Sequence, residues 1–154
     1  MGERLGFGAP SLKGRALRLL ASREHSRAEL ERKLQAHETA PGELAQALDE
    51  LQAKGFINEA RVVQSVVHRR AERLGTQRVR AELNAKGLPA ELVAEALDGL
   101  RATEEARARE VWRRKFGKPA GDPSERARQM RFLATRGFSA DAIRRVVAGT
   151  GEDD

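Results

Sequence analysis

From Thr76 to Leu100 the chain reads TQRVRAELNAKGLPAELVAEALDGL, with apolar positions at helical spacing: Val79 and Leu83, then Val93, Leu97 and Leu100. Apolar residues three and four apart share one face of an α-helix, so the stretch predicts two amphipathic helices joined by a tight turn. Lys86-Gly87-Leu88 stops the first and Pro89 starts the second. The order returns downstream, where a basic helix containing Leu133 is followed by Arg136-Gly137-Phe138 and then by Ile143 and Val147. Upstream, Leu44, Leu48 and Leu51 repeat the spacing of Val93, Leu97 and Leu100, and Asp49 stands where Asp98 stands. One unit is used three times, so the copies are expected to stack, because none can bury a good core alone.

Taken in order, residues 1–11 are Gly-rich and aperiodic and read as a flexible N-terminal arm. The first repeat is expected over 12–57. Leu12, Ala16, Leu17, Leu19 and Leu20 give its first helix an apolar face, and Ser26-Arg27-Ala28-Glu29 forms a capping box before Leu30 and Leu34. Pro41 suits the first position of a third helix, which runs to Lys54-Gly55, after which Phe56 is expected to pack back on the helix. The second repeat, 58–100, opens at the N-cap Asn58, and Val62, Val63, Val66 and Val67 make its first helix apolar. In the third repeat, 101–148, Ala106, Val111, Trp112 and Phe116 line the first helix. Gly117 to Asp122 is a loop, Asp122-Pro123 caps the next helix with Met130 and Leu133 inward, and Ser139 caps the last. Residues 149–154 are an acidic tail. The fold class expected is all-α: nine helices in three tandem, helix-turn-helix-like repeats stacked into an elongated, curved module.

Composition supports helices over sheets: of 154 residues only five are Phe, one is Trp and none is Tyr. With no cysteine the chain forms no disulfide and no Cys-containing zinc motif. No run approaches the roughly 20 apolar residues of a membrane span, and no apolar signal core follows Met1, so a cytoplasmic protein with no membrane partner is expected. The net charge of +6 is uneven. Residues 12–57 hold eight basic against seven acidic side chains, 58–100 seven against six, and 101–148 thirteen against six. The excess belongs to the third repeat, where it can meet phosphates or an acidic protein surface.

No phosphate-binding glycine motif is present, so no nucleotide cofactor is expected. His25, His37 and His68 lack metal-ligand spacing and read as surface or capping residues; no metal is expected. Nearly all acidic side chains fall at solvent positions of helices near Arg or Lys, with Glu29/Lys33 and Asp141/Arg145 as i,i+4 pairs. No catalytic pair is suggested, and the chain reads as a non-enzyme. Major-groove reading by the helix after each turn is disfavoured in the first two copies, where Glu43, Asp49 and Glu50, then Glu91, Glu95 and Asp98, would repel phosphate. The third copy, with Arg144 and Arg145, is compatible with a nucleic-acid backbone. Further candidate contact residues are Arg69, Arg70 and Arg73; Arg78, Arg80 and Lys86, expected outward; Arg113, Arg114 and Lys115; and Arg126, Arg128, Arg131 and Arg136. Trp112 and Phe116 are spaced as core residues rather than as platforms for bases.

At Arg23 to Leu30, REHSRAEL, the chain resembles the RecX family, regulators of the bacterial recombinase RecA. The likeness continues through Gly55-Phe56-Ile57-Asn58, Gly75, the segment RVRAELNAKG from Arg78 to Gly87, and Arg136-Gly137-Phe138-Ser139 with Ile143. It spans 12–148. After Asn58 the family pattern favours an aromatic followed by Ala, where this chain has Val62-Val63. The resemblance implies a curved chain of three-helix repeats that binds the RecA filament on single-stranded DNA. It further implies inhibition of filament growth, ATP hydrolysis, strand exchange and coprotease activity, and so a role in homologous recombination, DNA repair and the SOS response. Weaker contact with single- or double-stranded DNA and a monomeric state complete the expectation; the alternative is a general DNA-binding helical module acting through the basic third repeat.

Overall fold

The computed structural model describes residues 10–148. Most of the expected arm and all of the expected acidic tail lie outside the described residues. Among the described residues the regular elements are nine α-helices and one 3₁₀ turn: α1 Leu12–Ser22, α2 Arg27–Leu34, the turn Gln35–His37, α3 Glu43–Ala53, α4 Glu59–Arg70, α5 Thr76–Ala85, α6 Ala90–Ala102, α7 Glu104–Lys115, α8 Pro123–Thr135 and α9 Ala140–Ala148. Residues 10–62 with 86–88 form one compact unit, and 63–85 with 89–148 a second.

In the first unit Ser11 caps α1, its hydroxyl accepting from the Gly14 amide at 2.9 Å. Leu12 and Ala16 pack with Leu30, Leu34, Leu44, Leu48, Leu51 and Ile57 into one apolar cluster; each fully buried leucine stabilises the fold by about 1.5–3 kcal/mol. The capping box forms as expected: Ser26 Oγ accepts from the Glu29 amide at 3.1 Å, and Glu29 Oε1 accepts from the Ser26 amide at 2.9 Å. Asn58 caps α4 through the Arg61 amide at 3.0 Å.

Two expectations fail here. Pro41 lies in the turn before α3, whose N-cap is Gly42 in the left-handed conformation at φ 84°. Phe56 does not pack back: the residue is 47% exposed, while Ile57 is 2% exposed. The turn closes without the ring, because the Phe56 amide donates to the Leu51 carbonyl at 2.9 Å and the Gly55 amide to that of Gln52 at 3.0 Å.

In the second unit Ala108, Val111, Trp112, Leu133, Phe138, Ala142, Ile143, Val146 and Val147 form the core of α7, α8 and α9. Ala108 rather than Ala106 faces inward, because the register of α7 follows Val111 and Trp112. Met130 is only half-buried; beside it Gln129 is buried, accepting from the Trp112 indole N–H at 2.9 Å and donating to the Lys118 carbonyl at 3.1 Å. That amide ties the 117–122 loop to two helices.

The α8–α9 turn meets the start of α5 at van der Waals limits. The Gly75 amide donates to the Arg136 carbonyl at 2.8 Å and the Gln77 amide to that of Gly137 at 3.2 Å. A Cβ on Gly75 would lie 2.3 Å from the Gly137 carbonyl carbon.

Candidate partner and nucleic-acid interface

Cations are favoured at helix C-termini, where the last carbonyls are unsatisfied and the macrodipole is negative. In the second unit this preference brings basic residues together: Arg113, Arg114 and Lys115 fill the last turn of α7, and Arg136 is the C-cap of α8. Arg73, Arg114, Lys115 and Arg136 border an open depression of about 260 Å³, floored by Val111 and Phe132 and flanked by Glu72. Phe132 stands edge-on to Phe116, with centroids 5.4 Å apart and planes at 84°. Lys115 Nζ lies 5.3 Å and Arg136 Cζ 4.7 Å from the Phe132 centroid, and Arg128 Cζ 5.5 Å from that of Phe116. Such contacts contribute about 0.5–1 kcal/mol each at exposed sites and fix where the cations sit. Phe132, not singled out from the sequence, is legible in retrospect from its i,i+4 spacing to Arg136.

The structure sorts the other candidates by what already engages them. Arg69 and Arg70 converge on Glu82, at 3.8 and 3.0 Å. Arg78 donates to the Thr135 carbonyl at 2.8 Å. Arg113 and Arg114 share Glu110, the latter at 3.3 Å. Arg128 faces Glu125 at 3.7 Å. Arg144 pairs with Asp141, and Arg145 with Glu105 at 3.3 Å, so the expected Asp141/Arg145 pair does not form. Arg80, Arg126 and Arg131 are exposed. Among the described residues no carboxylate pairs with Arg73, Arg80, Lys115, Arg126, Arg131 or Arg136.

Lys86 departs from its expected outward placement. In the first unit its ammonium reaches Glu29 at 3.3 Å and its side chain is 13% exposed. The expected Glu29/Lys33 pair is replaced as well: Glu29 takes Arg23 at 2.8 Å, and Lys33 Nζ meets His25 Nε2 at 3.0 Å. Burial raises the Glu29 pKa, but hydrogen bonds from Arg23 and the Ser26 amide, with the charge of Lys86, outweigh it and hold the carboxyl at about 2. His25 is buried, contrary to expectation, while His37 and His68 are exposed. Burial lowers the His25 pKa, and its Nδ1 lies 3.0 Å from the Arg23 carbonyl, which places the proton on Nδ1 and leaves Nε2 to accept from Lys33.

A second acidic residue expected in solvent is also buried. Glu104 Oε1 accepts from the Thr76 amide at 2.9 Å, from the Thr76 hydroxyl and from Arg107 at 3.3 Å, while Oε2 accepts from the Ser139 amide at 2.8 Å. Arg107 also donates to the carbonyls of Ala71, Leu74 and Leu100 at 3.0, 2.7 and 2.9 Å. This ion pair joins the starts of α5 and α9 to α7. Among the described residues no group of three or more His, Asp or Glu is placed to hold a metal ion, and no helix is long and apolar enough to cross a membrane.

Comparison with known proteins matches three segments in tandem: residues 13–51 to the RecX first three-helix domain, 58–97 to the second and 103–147 to the third. The Regulatory protein RecX of Leptothrix cholodnii is 61% identical over 137 residues, 89% of this chain and 87% of that protein. That of Ralstonia nicotianae is 46% identical over 139 residues, 90% and 87% of the two chains. The crystal structure of RecX from Lactobacillus salivarius superposes with a TM-score of 0.71 at 20% identity, over 90% of this chain and 93% of that one. A crystal structure of regulatory protein RecX gives 0.72 at 19% identity, over 90% and 71%. Three tandem three-helix domains and relatives this similar over nearly their full length show that the chain belongs to the RecX family of regulatory proteins.

Proposed function

We propose that the protein is a non-enzymatic regulator that binds the RecA filament on single-stranded DNA and inhibits its growth, and with it ATP hydrolysis, strand exchange and coprotease activity. The observation that carries the reading is the run of three RecX domains across 13–147. Tandem repeats suit a helical polymer because each can meet one part of it, and modest contacts then reinforce one another through effective concentration. Nucleotide belongs to the recombinase in this reading. The test adds the protein to active filaments and follows single-strand-dependent ATP hydrolysis, which is expected to fall at substoichiometric ratios. Unchanged hydrolysis at every ratio refutes the proposal.

A second reading, a general DNA-binding helical module, is favoured by the depression where Arg73, Arg114, Lys115 and Arg136 meet. It calls for tight binding to naked DNA that weakens steeply with salt. A pull-down of recombinase after digestion of all DNA separates the two: retention supports protein contact, and loss supports the nucleic-acid module.

A further inference from the structure

The second unit holds another depression, between α4 and α6, of about 320 Å³, whose walls are Val63, Val67, Ala96, Gly99 and Leu100 with Glu95 at its rim. Its chemistry is opposite to that of the basic depression. The exposed side of α6 carries Glu91, Glu95 and Asp98; Asp98 meets Arg101 at 3.2 Å, and among the described residues no basic group pairs with Glu91 or Glu95. Across the groove α4 contributes Gln64 and no cation to the lining. An apolar groove beside unneutralised carboxylates repels a phosphate chain and suits a protein segment that offers an apolar side chain next to lysine or arginine. Space for it exists, since a Cβ on Gly99 would meet no atom within 4 Å.

We propose that this groove docks an apolar side chain flanked by lysine or arginine on the recombinase filament, so that protein contact and phosphate contact use different sites of the second unit. The inference rests on the filament reading above. The test uses the full chain in three forms: wild type, Gly99→Leu, which puts a bulky side chain on the groove wall at a position where a Cβ meets no atom within 4 Å, and Glu95→Lys, which reverses the rim. Each is assayed for inhibition of single-strand-dependent ATP hydrolysis, for binding to a fluorescent single-stranded oligonucleotide, for helicity and for mass in solution.

Both variants are expected to keep wild-type helicity and mass and to need at least about tenfold more protein for half-inhibition. Gly99→Leu is expected to bind the oligonucleotide within about twofold of wild type, and Glu95→Lys no more weakly. If wild type inhibits and both variants inhibit equally well, the inference falls and the functional reading stands. If Gly99→Leu loses oligonucleotide binding together with inhibition, the groove is a nucleic-acid site; if it converts a dimer to a monomer, the occupant is a second copy of the chain, and either result overturns the proposal. If wild type inhibits at no ratio, the functional reading fails and takes the inference with it.

Discussion

Glu104 accepts hydrogen bonds from two elements besides its own, at Thr76 and Ser139, and is paired with Arg107. Removing one member of a buried ion pair strands the other, at a cost of about 3–5 kcal/mol. Glu104→Gln is therefore expected to lower the melting temperature by on the order of 10 °C, read by circular dichroism. Asp98→Asn, which removes an exposed pair with Arg101, is expected to change stability by less than about 0.5 kcal/mol. Glu29 adds a pH dependence of definite sign. Its folded pKa of about 2 lies below the ordinary 4.5, so its contribution is complete above pH 4.5 and is lost as the pH falls toward 2. Urea unfolding at pH 7 and pH 3 is expected to show the gap between wild type and Glu29→Gln shrinking at the lower pH; a constant gap excludes this linkage. Neither burial was legible in the sequence. Ser26-x-x-Glu29 announced the capping box, but Arg23 and Lys86 reach Glu29 from outside its helix, and Glu104 meets donors 28 and 35 residues away.

Helices and their caps were the legible level, because the signals that specify them are local: periodicity, Ser26 and Asn58, and Asp122 before Pro123, whose carboxylate accepts from the Glu125 amide at 2.7 Å. What a turn touches was not. Phe56 and Phe138 follow glycine turns of like sequence, yet Phe138 is 4% exposed within the second unit's core and Phe56 is 47% exposed, a difference set by tertiary neighbours alone. The glycines show the same dependence and supply a paired test. Gly75→Ala places its methyl 2.3 Å from Gly137 backbone, which cannot rotate away. It is expected to cost about 1–3 kcal/mol and to speed amide exchange at Gln77, whose donor bond to Gly137 opens. Gly99→Ala meets open space inside α6 and is expected to stabilise by about 0.5–1 kcal/mol. Equal effects of the two substitutions in denaturant unfolding refute the close-contact account.

At the scale of the whole chain, sequence located the excess positive charge in 101–148 but not the cations left without a carboxylate, because partners such as Glu82 for Arg70 and Glu105 for Arg145 lie 12 and 40 residues away. Arg73, Lys115 and Arg136 emerge only once α7, α8 and the segment before α5 are placed. These three identify the substitutions that separate charge effects from packing. Lys115 is exposed and Arg136 half-exposed, each lying over Phe132 rather than in the core. The double variant Lys115→Glu/Arg136→Glu is thus expected to retain its helices at a cost of about 1–2 kcal/mol in lost cation–π contacts. Each cation that meets a phosphate of single-stranded DNA contributes about 0.7 to the magnitude of the slope of log affinity against log salt. Oligonucleotide binding by anisotropy across a salt series is therefore expected to weaken in the double variant and to lose about 1.4 from that slope. An unchanged slope assigns phosphate contact to other residues, with the exposed Arg80, Arg126 and Arg131 next in line because no ion pair among the described residues holds them.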